Sequence, residues 1–399
     1  MSASVRTPEK RMHVPPADPA PRRKGRPPVP ARADAGPSGA GQPLRMPSLL
    51  RDGDPARIAV FRALQLGDML CTVPALRALR RALPDARVTL IGLASARSFV
   101  ERFGRYVDDL IEFPGIAAFP EQPAREDLLP AFFAATRARR FDVALQMHGS
   151  GARSNDIVRR LGAREWGGFV PEPGLQRPGR RMAWPDDLPE PMRYTALIEF
   201  LGVPAEDADL EFPLTDADRR EAARLADALG LAPERTIFVH PGARLPSRRW
   251  PVERFAAVAG TLGRQGWPIA VTGGEEERGL AAGVVQALGG RAFDLSGRTS
   301  LTVLAALVER ARLLICNDTG ISHVAAALRT PSVVIASGSD VDRWAPLDRT
   351  LHSVLFEPTL CRPCAYAVCP IGHPCALGVT PESVMARAQA HLMKEHVRA

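Results

Sequence analysis

The stretch LLICNDTGISHVAAAL (313–328) changes character halfway along. Its apolar opening reads as a buried strand, Asn317, Asp318, Thr319 and Gly320 follow as a corner, and the Ala-rich remainder carrying His323 reads as a helix. In open α/β sheets, ligands gather where strands end and loops lead into helix N-termini. A helix starting at this corner would offer free backbone N–H groups and a positive dipole end to a diphosphate. Gly320 would let the ligand approach the backbone closely. The plainer alternative is that Asp318 is an ordinary N-cap, a role worth about 1 kcal/mol.

Working outward, short β-rich runs alternate with amphipathic helical stretches from Ala56 onward. RIAVF (57–61), RVTLIG (87–92), DLIEF (109–113) and FDVALQM (141–147) form a first set of strands, with VPALRALRRAL (73–83) among the intervening helices. RTIFVHPG (235–242), PIAVTGG (268–274), RAFDLSG (291–297), RLLICND (312–318) and PSVVIAS (331–337) repeat the rhythm, separated by VERFAAVAGTLGRQ (252–265) and SLTVLAALVERA (300–311). Such alternation predicts parallel sheets covered by helices, one sheet per half. The stretch VPEPGLQRPGRRMAWPDDLPEP (170–191) is too rich in Pro and Gly to predict regular structure, and PESVMARAQAHLMKEH (381–396) predicts a closing helix. The expected organisation is a tail over 1–55, a first α/β domain over 56–213, a second over 214–380 and a terminal helix over 381–399.

A chain of 399 residues exceeds the size at which single cores stop growing, so two domains are expected. Its 45% apolar and 24% charged residues are ordinary for a globular protein. No stretch approaches the ~20 apolar residues of a membrane span, and the start resembles no secretory signal, so a cytoplasmic protein is expected. Of the formal net charge of +8, residues 1–50 carry +6, from nine Lys/Arg against three Asp/Glu. That segment has eleven prolines and no aromatic residue, which predicts disorder. RRKGRPP (22–28) resembles an AT-hook, but such matches are common in basic tails, and a solvated tail or one drawn weakly to anionic lipid is the simpler reading.

Other strand ends carry candidates of their own. In FRALQLGDMLCTVPAL (61–76), Asp68 would take a proton from a hydroxyl nucleophile if it faces a cleft, or it would merely cap its helix. HPGARLPSRRWP (240–251) places Arg248 and Arg249 where phosphate oxygens would be clamped, or where both simply meet solvent. In TGGEEER (272–278), one of Glu275 to Glu277 would accept ribose hydroxyls, although three glutamates also suit a helix start. The arginines of 153–193, among them Arg153, Arg180 and Arg181, would attract a phosphorylated or acidic acceptor, or solvate a long loop. His148 reads as a core or loop histidine.

LGD after the first strand, HPG followed by RRWP, then GGEEE, NDTGISHVAAAL and DRWAPL (342–347), resemble in order and spacing the motifs of glycosyltransferase family 9, to which the heptosyltransferases of lipopolysaccharide core assembly belong. The resemblance spans residue 56 to about residue 395. It implies the GT-B architecture, two Rossmann-like doubly wound domains facing across a cleft, and transfer with inversion at the sugar. It implies further that the first domain takes a lipid-linked oligosaccharide acceptor at the inner membrane surface and the second an ADP-activated heptose. Asp68 falls on the family's base, while Asp318, Thr319, Gly320 and His323 fall on its donor motif. Arg248, with Glu275, would complete the donor site. Many relatives have Lys where Arg248 stands, a change that keeps charge and gains a planar fork.

No cofactor is expected for catalysis. Asp-x-Asp occurs four times, at 52–54, 207–209, 216–218 and 340–342, which shows how little that pattern discriminates. CRPCAYAVCPIGHPC gathers Cys361, Cys364, Cys369 and Cys375, which fits a structural zinc site and free thiols equally, with a disulfide or an iron–sulfur cluster as lesser alternatives. Cys71 and Cys316 sit in apolar contexts and read as core. Two other functions remain open: the same fold using another nucleotide sugar or surface-glycan acceptor, and a nucleic-acid-binding protein using the tail and cysteines. A nicotinamide enzyme is disfavoured because neither half opens with G-x-G-x-x-G after its first strand.

Overall fold

A computed structural model describes residues 48–394. Most of the basic tail, the AT-hook-like segment and the last five residues lie outside it. Two six-stranded sheets carry the fold, and every strand pairing in them is parallel. The first is built from β1 (Arg57–Phe61), β2 (Arg87–Gly92), β3 (Asp109–Glu112), β4 (Val143–Gln146), β5 (Glu165–Val170) and β6 (Arg181–Ala183), in the order β3-β2-β1-β4-β5-β6. The second is built from β7 (Ile237–His240), β8 (Ile269–Val271), β9 (Phe293–Asp294), β10 (Leu313–Asn317), β11 (Ser332–Ile335) and β12 (His352–Leu355), in the order β12-β11-β10-β7-β8-β9. Both orders are the same doubly wound path, reversing direction once, between β1 and β4 and between β7 and β10.

Alternation along each strand separates the cores. Ala59 and Phe61 of β1 join Ile91, Phe113 and Phe133 on one face of the first sheet. Ile58 and Val60 face a larger cluster that continues through Met69, Leu70, Ile321 and Val324 to Phe238, Leu314 and Val334 of the second sheet. This cluster joins the two domains, and each fully buried aliphatic side chain in it contributes about 1.5–3 kcal/mol. The other face of the second sheet is closed by helix Val252–Arg264 and the closing helix Pro381–Leu392, whose Val384 and Ala388 are wholly buried beside Val333 and Ile335.

The structure corrects the sequence-based outline in two places. The stretch assigned to the tail reaches into the first domain: Leu49 and Leu50 are buried, and their amides donate to the carbonyls of Gly179 and Leu201 at 3.1 and 3.0 Å. Leu49 fits over Gly167, where a Cβ would lie 2.7 Å from its Cδ2. The Pro/Gly-rich stretch 170–191 contains regular structure after all, the three-residue edge strand β6 and the start of helix Glu190–Phe200. No helix among the described residues is long and apolar enough to cross a membrane.

Candidate active site

The two reversals in strand order set the site. Asp68 follows β1 and Asp318 follows β10, so each lies at the carboxyl end of a strand beside its sheet's reversal. The reversals face each other. Gly67 of the short helix Leu66–Leu70 and Gly320, which begins helix Gly320–Ala327, touch across the domain seam: a Cβ on Gly67 would stand 3.3 Å from Gly320 Cα and 3.0 Å from His323 Cδ2. A cleft of about 840 Å³ opens there, lined by Asp68, Arg248, Glu275, Asp318, Thr319, Gly320 and His323. It thus gathers the expected base and every expected donor residue.

The local hydrogen bonds answer what the 313–328 corner is for. Asn317 is wholly buried and satisfied: its Oδ1 accepts from the Trp250 amide at 2.9 Å, and its Nδ2 donates to the carbonyls of Pro241 and Gly242. It ties the ends of β10 and β7 together and leaves Asp318 to Gly320 facing the cleft. Asp318 is no N-cap. Thr319 holds that position with extended backbone and makes no side-chain cap, so the first amides of the helix lack a side-chain partner.

Asp68 caps nothing either. It is half-buried, and its carboxylate accepts no hydrogen bond from the described residues. Burial raises its pKa above the ordinary aspartate value and Glu190 adds to the rise, while Arg62, His323 and Arg343 oppose it. Beneath it lies a buried ionic set that sequence reading missed. Arg62, wholly buried, donates from Nε and Nη2 to the Asp68 carbonyl and from Nη1 to Met147 O at 2.6 Å. Glu190, also wholly buried, accepts from Tyr194 Oη at 2.9 Å and from Arg343 Nε at 2.7 Å, with Arg193 at 3.5 Å and Arg62 at 3.7 Å. Its pKa is lowered: burial raises it, and the surrounding arginines, Arg343 foremost, more than offset that rise. The available signal was an arginine continuing a buried strand and a Glu–Tyr pair four residues apart.

Other candidates are placed differently. Arg248 lines the cleft but is also held by the cysteine segment, its Nη2 donating to Cys364 O at 2.7 Å and its Nη1 to Ser337 O at 3.4 Å. Glu275 is exposed and pairs with Arg278 at 3.0 Å, whereas Glu277 is taken up by the Gly274 amide. Arg153, Arg180 and Arg181 do not line the cleft. Arg153 donates to Ala118 O. Arg180 pairs at 2.7 Å with Glu165, at the amino end of β5, and Arg181 stacks over Trp166. Both therefore face away from the reversal where an acceptor would meet Asp68. Glu121 and Arg244, unmarked in the sequence reading, line the cleft, and the Glu121 carboxyl is raised by burial. His148 is half-buried against the core: it stacks on Phe119, its Nδ1 accepts from the Ala63 amide at 3.2 Å, and burial pushes it down to about 3.

The Asp-x-Asp pairs have structural uses. Asp340 caps the short helix Val341–Trp344, Asp218 closes a capping box with Thr215, and Asp207 pairs with Arg77. Of the four clustered cysteines, Cys375 is buried, Cys369 accepts from the His373 amide, and Cys361 contacts the Thr359 hydroxyl. Among the described residues no three His, Cys, Asp or Glu side chains converge as a metal would require.

Residues 130–374 match the model of glycosyltransferase family 9 (heptosyltransferase). Lipopolysaccharide heptosyltransferase 2 of Salmonella typhimurium is 25% identical over 359 residues, which cover 86% of this chain and 100% of that one. Among solved structures, the glycosyl transferase family 9 protein of Veillonella parvula superposes with a TM-score of 0.70 at 21% identity, over 85% of this chain and 98% of that one. E. coli heptosyltransferase WaaC with ADP superposes with a TM-score of 0.62 at 18% identity, over 84% of this chain and 99% of that one.

Proposed function

The chain belongs to glycosyltransferase family 9, and from that membership we propose that it is an inverting transferase moving a heptose from ADP-heptose to the inner core of lipopolysaccharide. The observation that carries the reading is the meeting of the two strand-order reversals, which sets Asp68 and the uncapped amides after Thr319 on one cleft. The name of the Salmonella relative supports the acceptor, and ADP in the E. coli WaaC structure supports the donor.

In this mechanism an acceptor hydroxyl attacks the anomeric carbon from the face opposite the diphosphate, and Asp68 takes its proton. One well-placed base contributes about 10²–10⁴-fold. As the bond to ADP breaks, negative charge grows on the leaving phosphate. The amides at the start of helix Gly320–Ala327 and the guanidinium of Arg248 meet that charge, and a single aimed donor is worth roughly 3–4 kcal/mol. The charge is met without a metal. Because the acceptor is lipid-linked, the enzyme works at the inner membrane surface.

The experiment is transfer from ADP-heptose to heptose-deficient lipopolysaccharide, followed by mass spectrometry, for the wild type and Asp68→Asn. The variant should keep ADP affinity and lose roughly 10²-fold or more in kcat, and EDTA should leave the wild-type rate unchanged. Equal turnover by Asp68→Asn would remove Asp68 as base, and transfer only from another nucleotide sugar would change the donor.

A further inference from the structure

The ionic set beneath Asp68 spans the domain seam. Arg62 and helix Glu190–Phe200 belong to the first domain, whereas Arg343 lies on the short helix after β11 of the second. Arg343 crosses to Glu190 and lies over Trp184 of the first domain and Trp344 of its own. Arg62 completes the chain, stacked on Tyr194 at 4.4 Å with two of its nitrogens on the Asp68 carbonyl. One buried carboxylate is thus surrounded by three guanidinium groups, and two nearby acids, Asp68 beside Arg62 and Asp186 beside Arg193, bring the count of charges toward balance. As packing alone, this arrangement is poor value: buried ion pairs are often no more stabilising than apolar groups of similar volume. Its distinguishing property is its position, touching the peptide of Asp68 from one side and the second domain from the other.

We propose that Arg62, Glu190 and Arg343 are positioning residues that set the Asp68 carboxylate from across the domain seam. Arg62 fixes the peptide that carries Asp68, Glu190 orients both Arg62 and Arg343, and Arg343 brings a second-domain charge to bear on the base. The base is therefore readied by contact between the domains. The inference rests on the reading of Asp68 as base. The groups facing Asp68 are Arg62 after β1, Cys71 after its own helix, Glu121 on the cleft wall, Glu190, His323 on helix Gly320–Ala327, and Arg343. Removing Arg343 leaves Asp68 with less positive charge to favour its ionised form. Removing the charge of Glu190 has the opposite effect.

The test uses the full chain without sugar substrates. Asp carboxyl carbons are labelled with ¹³C, the Asp68 resonance is assigned by its loss in Asp68→Asn, and its titration is followed by NMR. Arg343→Gln should raise the Asp68 midpoint by about half a pH unit or more, Arg343→Lys should bring it back toward wild type, and Glu190→Gln should lower it. In turnover, Arg343→Gln should reduce kcat about tenfold with ADP affinity held within about twofold. An unchanged midpoint in Arg343→Gln, or a loss of rate matched by an equal loss of ADP affinity, overturns the proposal. Glu190→Gln leaves buried arginines uncompensated; if it does not fold, Arg343→Gln decides, because Arg343 is only partly buried. Since the titration needs no donor, failure of the wild type to transfer heptose would retire the donor assignment while leaving this coupling measured.

Discussion

Gly67→Ala tests whether the two reversals must touch. The added methyl would lie 3.0 Å from His323 Cδ2 and 3.3 Å from Gly320 Cα. Carbon atoms prefer separations of about 3.5–4.0 Å, so the two domains must part locally by about half an ångström. Overpacking of this kind costs about 1–3 kcal/mol. Replacing a helical Gly by Ala returns up to about 1 kcal/mol, so thermal stability should fall only slightly. Catalysis has no such compensation: a 1 Å displacement of reacting groups costs as much as about 10²-fold, so half of that predicts roughly tenfold in kcat. The assay is steady-state transfer, accompanied by ADP calorimetry and a melting curve. Gly279→Ala is the control, because a Cβ there meets nothing within 4 Å and the change should be neutral or slightly stabilising. A Gly67→Ala enzyme with wild-type kcat and ADP affinity would refute the reasoning, since the contact would then be dispensable.

Two further outcomes concern stability against pH. His148 is held below its ordinary pKa, so the folded protein takes up its proton later than the unfolded chain, and stability falls as pH drops from about 6.5 toward about 3. His148→Phe should remove up to about 1.4 kcal/mol per pH unit from that decline, and parallel urea-unfolding series for the two proteins would contradict this. Asp218 is held well below the usual carboxylate range, chiefly by Arg102 at 2.9 Å from the first domain. Its contribution is present above the ordinary Asp pKa and lost as pH falls below it. Asp218→Asn should therefore cost about 1.5–3 kcal/mol at neutral pH and progressively less below about pH 4, and a pH-independent difference would show that the charge is irrelevant.

The central strands were legible because both their faces are covered. β1 and β10 read as continuous apolar runs, and the alternation with helices led to the parallel sheets and so to Asp68 and Asp318. β5 was not legible, because EWGGFV carries two adjacent glycines that argue locally against a strand. The reason for Gly167 is Leu49 and Leu201 crossing over it, a contact between distant parts of the chain. β6 is three residues held from one side by β5, and no local pattern marks it. The same limit hid the ionic set. Glu190 and Arg343 are separated by 153 residues, and DDLPEPMR resembles a solvated loop until folding buries its glutamate. The placement of Arg180 and Arg181 was hidden for the complementary reason: charge is visible in sequence, whereas the end of the sheet it faces is not.

Leu49 and Leu50 also decide where the catalytic body may be cut. A chain trimmed to begin at residue 56 would start cleanly at the first strand yet expose the groove over Gly167, and losing a buried leucine costs about 2–5 kcal/mol. A chain beginning at residue 46 keeps both side chains seated. Any comparison of trimmed and intact enzyme therefore separates the role of the basic extension from damage to the fold only when the cut falls upstream of Ser48.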